Sequence, residues 1–270
     1  MLVDTHCHLD FEVFNDDREE TLARALDAGV TRILNPAIDL ETSSSVVQLA
    51  HTYDPVYACD GVHPNEGTKW TPETRSQLKA LGQDAKVVAI GEIGIDYYWD
   101  RTPAEVQQRI FREQLDLAAE LDLPVVIHTR DASSEDRRAS MDVLNIVEEW
   151  LEELKSNGSP LAERPGVLHS FSAGLSEAEK ALELNFMIGI TGPVTFKNAP
   201  KLQDLVTRLP EERLLVETDA PFLTPHPYRG KRNEPARVRL VAEKIAELKQ
   251  KPLEIIADIT TMNAKRLFNW

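Results

Sequence analysis

Short apolar runs alternate with longer amphipathic stretches along almost the whole chain. The runs cover Leu2 to His6, Thr31 to Asn35, Val56 to Val62, Val87 to Ile90, Pro124 to His128, Val167 to Phe171, Phe186 to Ile190 and Arg213 to Glu217. Short apolar runs bounded by polar segments fit strands buried on both faces, as parallel strands are. The stretches between them repeat apolar residues every three to four positions, which predicts helices over 16–28, 41–52, 72–82, 137–156, 198–208, 235–250 and 253–267. Two further helices announce themselves by start signals. Thr102-Pro103-Ala104-Glu105 reads as a capping box with proline at the first helical position, followed by Val106, Ile110, Leu117 and Leu121 on one face. Ser176-Glu177-Ala178-Glu179 reads as a second box. The polar segments 131–140 and 156–166 predict surface loops.

Strand and helix alternating in this way predict parallel strands joined by crossover helices. An open doubly wound sheet would carry a glycine-rich phosphate loop after its first strand, and this sequence has none. The prediction is therefore an α/β chain closed into a (β/α)8 TIM barrel. No repeat or linker divides it, so one domain is expected over residues 1–270. That length is close to the roughly 250 residues typical of such a barrel.

Composition narrows the class only a little further. Two cysteines, Cys7 and Cys59, are too few for a disulfide framework and fit a reducing compartment. The opening MLVDTHCHLD lacks the basic and apolar stretches of a cleaved leader, and no apolar run reaches the roughly 18 residues of a membrane span. A cytoplasmic location is expected, with no membrane and no obligate protein partner readable. Charge changes the picture more. A formal net charge of −15 repels nucleic acid at long range. Against it stands one basic segment, HPYRGKRNEPARVR over 226–239, with five Arg or Lys and one Glu. It follows the last predicted strand, where loops of this fold commonly build a phosphate site. Tyr228 is placed to stack on a base and Arg229 to grip a phosphate; the plain alternative is a solvated loop leading into a helix.

The candidate chemistry sits at the strand ends, where this fold places catalytic groups. His6 and His8 end the first run, Glu92 follows the fourth, His128 ends the fifth, His169 lies in the sixth and Asp219 follows the eighth. A spacing of two puts His6 and His8 on one side of a strand and turns Cys7 away. Glycines around Glu92, Gly91 and Gly94, permit close backbone approach. Glu217 and Asp219 share a face, so one binds metal and the other orients it, and spacing leaves open which. Four imidazoles and two carboxylates exceed the three protein ligands of a single catalytic zinc. Two divalent ions sharing a bridging carboxylate use the set better, and such a pair acidifies a water for attack on an ester. The donors suit zinc, manganese, cobalt or nickel more than magnesium. Asp219 is the candidate proton acceptor and Glu92 the second catalytic carboxylate. His63 ends the third run and either contacts substrate or supports the site. Trp99 either walls the cleft or packs. His51 and His226 receive no role.

Seven motifs in order resemble the TatD-related hydrolases, metal-dependent amidohydrolase-like barrels. They are Asp4-Thr5-His6-Cys7-His8-Leu9, Gly61-Val62-His63-Pro64, Gly91 through Tyr98, Ile127-His128-Thr129-Arg130, His169-Ser170-Phe171-Ser172, Glu217-Thr218-Asp219-Ala220-Pro221 and Pro227 through Pro235. The resemblance spans nearly the whole chain. It implies that His6, His8 and Asp219 bind one ion, that His128 and His169 bind the other, and that Glu92 bridges. It also implies a magnesium-dependent deoxyribonuclease acting on single-stranded DNA. The metal identity stays open among Mg, Mn and Zn. The alternative is an ester or amide hydrolase on the same two-metal site, such as a D-aminoacyl-tRNA deacylase, with charged tRNA in place of DNA. The chain departs from the family pattern at Asn65, where a second histidine is common, and at Ser170-Phe171-Ser172-Ala173-Gly174.

Overall fold

The computed structural model describes residues 1–99, 101–133 and 135–270. Eight strands lie in one parallel sheet in sequence order: β1 (Leu2–Asp4), β2 (Val30–Pro36), β3 (Val56–Asp60), β4 (Val87–Asp96), β5 (Val125–Arg130), β6 (Gly166–Leu168), β7 (Met187–Ile190) and β8 (Leu214–Val216). The first and last strands approach where Thr5 N–H donates to the Val216 carbonyl at 3.2 Å and Cys7 bridges Ala220, so the sheet curls into a nearly closed barrel. Outside it run α1 (Arg18–Asp27), α2 (Leu40–Thr52), α3 (Pro72–Leu81), α4 (Ala104–Leu121), α5 (Arg138–Ser156), α6 (Leu175–Glu183), α7 (Pro200–Arg208), α8 (Val238–Lys249) and α9 (Leu253–Phe268). Among the described residues no helix is long and apolar enough to cross a membrane.

The core has two layers because strand side chains alternate. Val3, Leu34, Cys59, Ala89, Val126, Val167, Met187 and Leu215, one from each strand, pack together, with Leu267 and Phe268 of α9 among them. Their neighbours in sequence, such as Val125, Ile127, Leu168, Ile188 and Val216, belong to the larger cluster shared with the helices. The interior positions two residues further along β5 and after β6 and β8 are His128, His169 and Glu217. The barrel filling therefore turns from apolar to ligating at one end.

The predicted helices appear within a few residues of their expected bounds, but both predicted capping boxes are corrected. Pro103 itself occupies the cap of α4, and the Thr102 hydroxyl has no hydrogen-bond partner among the described residues. α6 starts at Leu175, one residue ahead of the predicted serine, and Glu177 reaches back to accept the Gly174 N–H at 3.0 Å. Of the predicted polar loop 131–140, residues from Arg138 onward are helical and Ser134 lies outside the described residues. β4 is the main change among the strands. It runs on past Ile90 to Asp96, all ten residues buried, with its register against β5 shifting between Ile90 and Ile93. Glu92 therefore stands within the strand and not beyond it. That shift depends on Gly91 and Gly94. A Cβ on Gly91 would fall 2.6 Å from the Val126 carbonyl oxygen, and one on Gly94, at φ 134°, would fall 2.1 Å from that of His128.

Candidate metal centre and cleft

The His-x-His segment is threaded between two neighbours. Cys7 N–H donates to the Leu34 carbonyl at 3.0 Å, His8 N–H to that of Ala220 at 2.8 Å, and Asp219 N–H to that of His6 at 2.8 Å. This keeps the segment extended, with Cys7 fully buried in the layer under the helices. Asp4 pins the crossing by accepting the Thr218 N–H at 2.9 Å, the Thr218 hydroxyl at 2.6 Å and the His6 N–H at 3.3 Å. Burial pushes the Asp4 carboxyl up to about 8 in spite of those bonds.

Five predicted ligand residues meet around the sixth, Glu92. One carboxylate oxygen, Oε2, lies 3.4 Å from His6 Nε2 and 3.7 Å from His8 Nε2, and the Asp219 Oδ1 is 3.7 Å from both nitrogens. The other, Oε1, lies 2.8 Å from His128 Nδ1 and 3.6 Å from His169 Nε2. His6 and His8 bring their Nε2 atoms within 3.3 Å, and the His6 and His169 rings stack with centroids 3.5 Å apart. Burial lowers His6 well below the ordinary histidine range, so its nitrogen is a lone-pair donor. Burial alone would raise Glu92, but His6, His169 and the bond from His128 hold it well below the carboxylate range. Burial likewise opposes a charge on His128, yet its bonds to Asp96 and Glu92 raise it to about 9. Asp219 is pushed up to about 6 by burial, against the pull of His169 and His8. Imidazole nitrogens and carboxylate oxygens packed this closely, with lone pairs converging, fit divalent cations.

Two carboxylates turn the imidazoles. Glu217, fully buried, lies 3.2 Å from His169 Nδ1 and accepts the Ser170 N–H at 2.9 Å, leaving His169 Nε2 toward the centre. The choice that spacing left open thus falls to Asp219 at the centre and Glu217 behind the histidine. Asp96 lies 3.1 Å from His128 Nε2, leaving Nδ1 inward. Asp96 had no assigned role, although its spacing of four from Glu92 along β4 puts both on one face. His63 sits closer to the centre than a substrate contact requires, with Nε2 3.8 Å from Glu92 Oε1. Its Nδ1 accepts the Asn65 N–H at 3.1 Å, so in the neutral ring Nε2 carries the proton. In that tautomer Nε2 is a donor, although His63, Glu92 and His128 also stand close enough together to form a ligand group. Asn65 also approaches Asp96, with Nδ2 3.3 Å from Oδ2.

The centre opens into a cleft of about 610 Å3. One side carries Phe11 and Phe222, whose rings are 6.0 Å apart, and another carries Trp99, Arg101 and Arg130. Tyr228 and Arg229 are not among the described residues that line it. Arg229 lies over the Phe196 ring at 4.1 Å, and Arg237 over that of Tyr228 at 4.6 Å.

The TatD-related DNase family model matches residues 3–269. The Bacillus subtilis protein named "Uncharacterized metal-dependent hydrolase YabD" is 45% identical over 268 residues, which cover 99% of each chain. The Cronobacter sakazakii protein named "3'-5' ssDNA/RNA exonuclease TatD" is 37% identical over 262 residues, 94% of this chain and 93% of its own. The crystal structure of the TatD homologue YjjV from Escherichia coli superposes with a TM-score of 0.89 at 36% identity, covering 100% of this chain and 98% of that one.

Proposed function

The chain belongs to the TatD-related DNase family of metal-dependent hydrolases, and from that premise we propose that it is a nuclease that removes nucleotides from an end of single-stranded DNA. The observation that carries this reading is the two-sided carboxylate of Glu92, which offers one oxygen to His6 and His8 and the other to His128 and His169. The relative named as a single-strand exonuclease points the same way. On this reading His6, His8 and Asp219 would hold one divalent ion and His128 and His169 a second, with Glu92 serving both. Such a pair, of Mg, Mn or Zn, would supply charge to the phosphoryl oxygens and acidify a water.

The chain's own groups do the rest. Asp219, at 15% the most exposed carboxylate of the centre, orients the attacking water and accepts its proton. His63 donates a hydrogen bond from Nε2 to a substrate oxygen, in the tautomer that Asn65 selects. Glu217 and Asp96 keep two imidazoles aimed inward. The buried, unpaired thiols of Cys7 and Cys59 support a reducing, cytoplasmic setting.

The test is one preparation, stripped and reloaded with Mg, Mn or Zn, assayed on end-labelled single-stranded DNA and on D-aminoacyl-tRNA in parallel. DNA is expected to be shortened, with two ions per chain by metal analysis. Asp219→Asn should lower kcat by about 100-fold or more, the scale of general-base loss, and His63→Ala by less. An inert DNA strand beside rapid deacylation of the tRNA ester overturns the reading.

A further inference from the structure

The cleft has two unlike walls. Phe11 and Phe222 stand on one side, and the surface pocket that adjoins them also takes in Asp10, Glu12 and Arg232, the last of which is paired with Asp17. On the other side Trp99, just past β4 and 44% exposed, lines the cleft, with Tyr98 next to it outside the lining. Their rings meet edge to face at 4.9 Å. The Arg130 guanidinium lies 3.9 Å from the Tyr98 centroid and 5.8 Å from that of Trp99, and Arg101 lies 5.4 Å from Trp99. This wall therefore pairs flat π faces with cations, and the opposite wall offers aromatic faces near acidic groups. A polyanion with planar bases fits the first, where cations and a flat aromatic face stand together.

The aromatic wall is also rigidly tied to the centre. Asp96 Oδ1 accepts the Tyr98 N–H at 2.9 Å and the Trp99 N–H at 3.1 Å, while its Oδ2 lies 3.1 Å from His128 Nε2. Tyr97 N–H donates to the Arg130 carbonyl at 2.9 Å, and the Tyr97 hydroxyl donates to Asp142 at 2.7 Å. Arg130 stands two residues beyond His128 on β5, on the same side of the strand, roughly 6.6 Å along it. A phosphate gripped by Arg130 and a phosphate at the metal centre would thus belong to neighbouring nucleotides. A wall fixed in advance loses little freedom when a flexible strand lands on it.

We infer that Trp99, backed by Tyr98 and with Arg101 and Arg130 beside it, forms a stacking platform for the nucleotide adjoining the scissile phosphodiester of a single-stranded nucleic acid. The inference rests on the nuclease reading above and adds the place where the strand lies. It moves the phosphate-binding role from Arg229 to Arg101 and Arg130.

The test measures binding of metal-loaded protein to a short phosphorothioate oligothymidylate, which resists cleavage. Beside it stands an abasic tetrahydrofuran strand of equal length and charge. Base–aromatic stacking predicts that Trp99→Ala weakens binding of the base-bearing strand about 5- to 100-fold, leaves the abasic strand unchanged, and is rescued by Trp99→Phe. Trp99 emission should be quenched by oligothymidylate and not by the abasic strand. Trp99→Leu, which keeps apolar bulk without a planar face, should behave as the alanine variant does and covers the case in which alanine unfolds the turn. Equal losses on both strands, or a base preference that survives in Trp99→Leu, overturn the platform alone. Strong, Trp99-dependent binding without cleavage of the ordinary phosphodiester strand sinks the nuclease reading and keeps the platform. Absence of binding to either strand removes both.

Discussion

Asp60 ends β3 with both carboxylate oxygens buried and without hydrogen-bond partners. Burial, with some help from Asp84, pushes its pKa from 3.8 up to about 8. An acid held above its unfolded value binds extra protons in the native state between the two pKa values. Its contribution to stability is thus fully present below about 4 and is lost as pH climbs through about 8. Asp60→Asn should therefore raise the thermal midpoint more at pH 8 than at pH 5, measured in chelator so that metal loading does not intervene. Equal shifts at both pH values would show that Asp60 is ionised and solvated in the fold. The carboxylates of the centre behave differently because each has imidazoles to answer it. That the six candidate residues would cluster was legible because a period of two and a strand end suffice to place them. Glu217 was separable from Asp219 only through tertiary contacts, such as the Ser170 N–H that it accepts across 47 residues of sequence. Asp96 was readable from its period with Glu92 and was missed because the strand was expected to stop at Ile90.

At the scale of elements, α4 does what a strand neighbour would otherwise do. Gln114 accepts the Val62 N–H at 2.7 Å and donates to the Val62 carbonyl at 3.0 Å, just past the end of β3. One heptad earlier, Gln107 accepts the Asp96 N–H at 2.8 Å and donates to the Asp96 carbonyl at 2.9 Å. Both amides are buried on the apolar face of α4, where a pattern reading expects leucine. They let the strand ends leave the ladder and carry His63 and Asp96 into the rim without orphaned backbone groups. Gln114→Leu keeps the volume and removes both bonds, leaving two buried groups that cost about 1–3 kcal/mol each. Denaturant unfolding should show a loss of roughly 2–6 kcal/mol with an unchanged m-value. A loss below about 0.5 kcal/mol, the scale of an ordinary surface substitution, would mean that water or a shifted backbone satisfies Val62. Side-chain pairing of this kind also explains which strand bounds were illegible. Helices α1 to α9 follow the 3.6-residue period that forms them. Strands β1, β3, β6 and β8 end earlier than their apolar runs, and just past those ends some backbone N–H groups turn to side chains: His6 to Asp4, Val62 to Gln114, Ser170 to Glu217 and Thr218 to Asp4.

For the molecule as a whole, the net charge of −15 has to be reconciled with a polyanionic substrate. The basic segment 226–239 was the sequence's answer, but most of its cations are committed within the fold. Arg232 binds Asp17 through two bonds of 2.7 and 2.6 Å and so ties the segment to the cap of α1. Arg237 donates to the Arg232 carbonyl and lies 3.9 Å from Glu234, while Arg239 pairs with Glu243 at 2.9 Å. Arg229 lies over Phe196, outside the cleft lining. The cations lining the cleft are Arg101 and Arg130 among the described residues. Each phosphate neutralised on a single strand contributes about −0.7 to the slope of log affinity against log salt, so two arginines predict a slope of about −1.4. If all five basic residues of 226–239 also bound phosphate, the slope would steepen to roughly −5. Long-range repulsion acts on a different quantity. A strongly acidic protein meeting a polyanion is slowed at low salt, and screening over the Debye length, about 8 Å at physiological ionic strength, relieves that repulsion. The association rate constant should therefore stay level or rise with salt, while the weakening of affinity falls on the dissociation rate. Stopped-flow measurements on oligothymidylate across a salt series, with the divalent ion held constant, test both limbs. A steep slope with an association rate that falls as salt is added would return residues 226–239 to the binding surface.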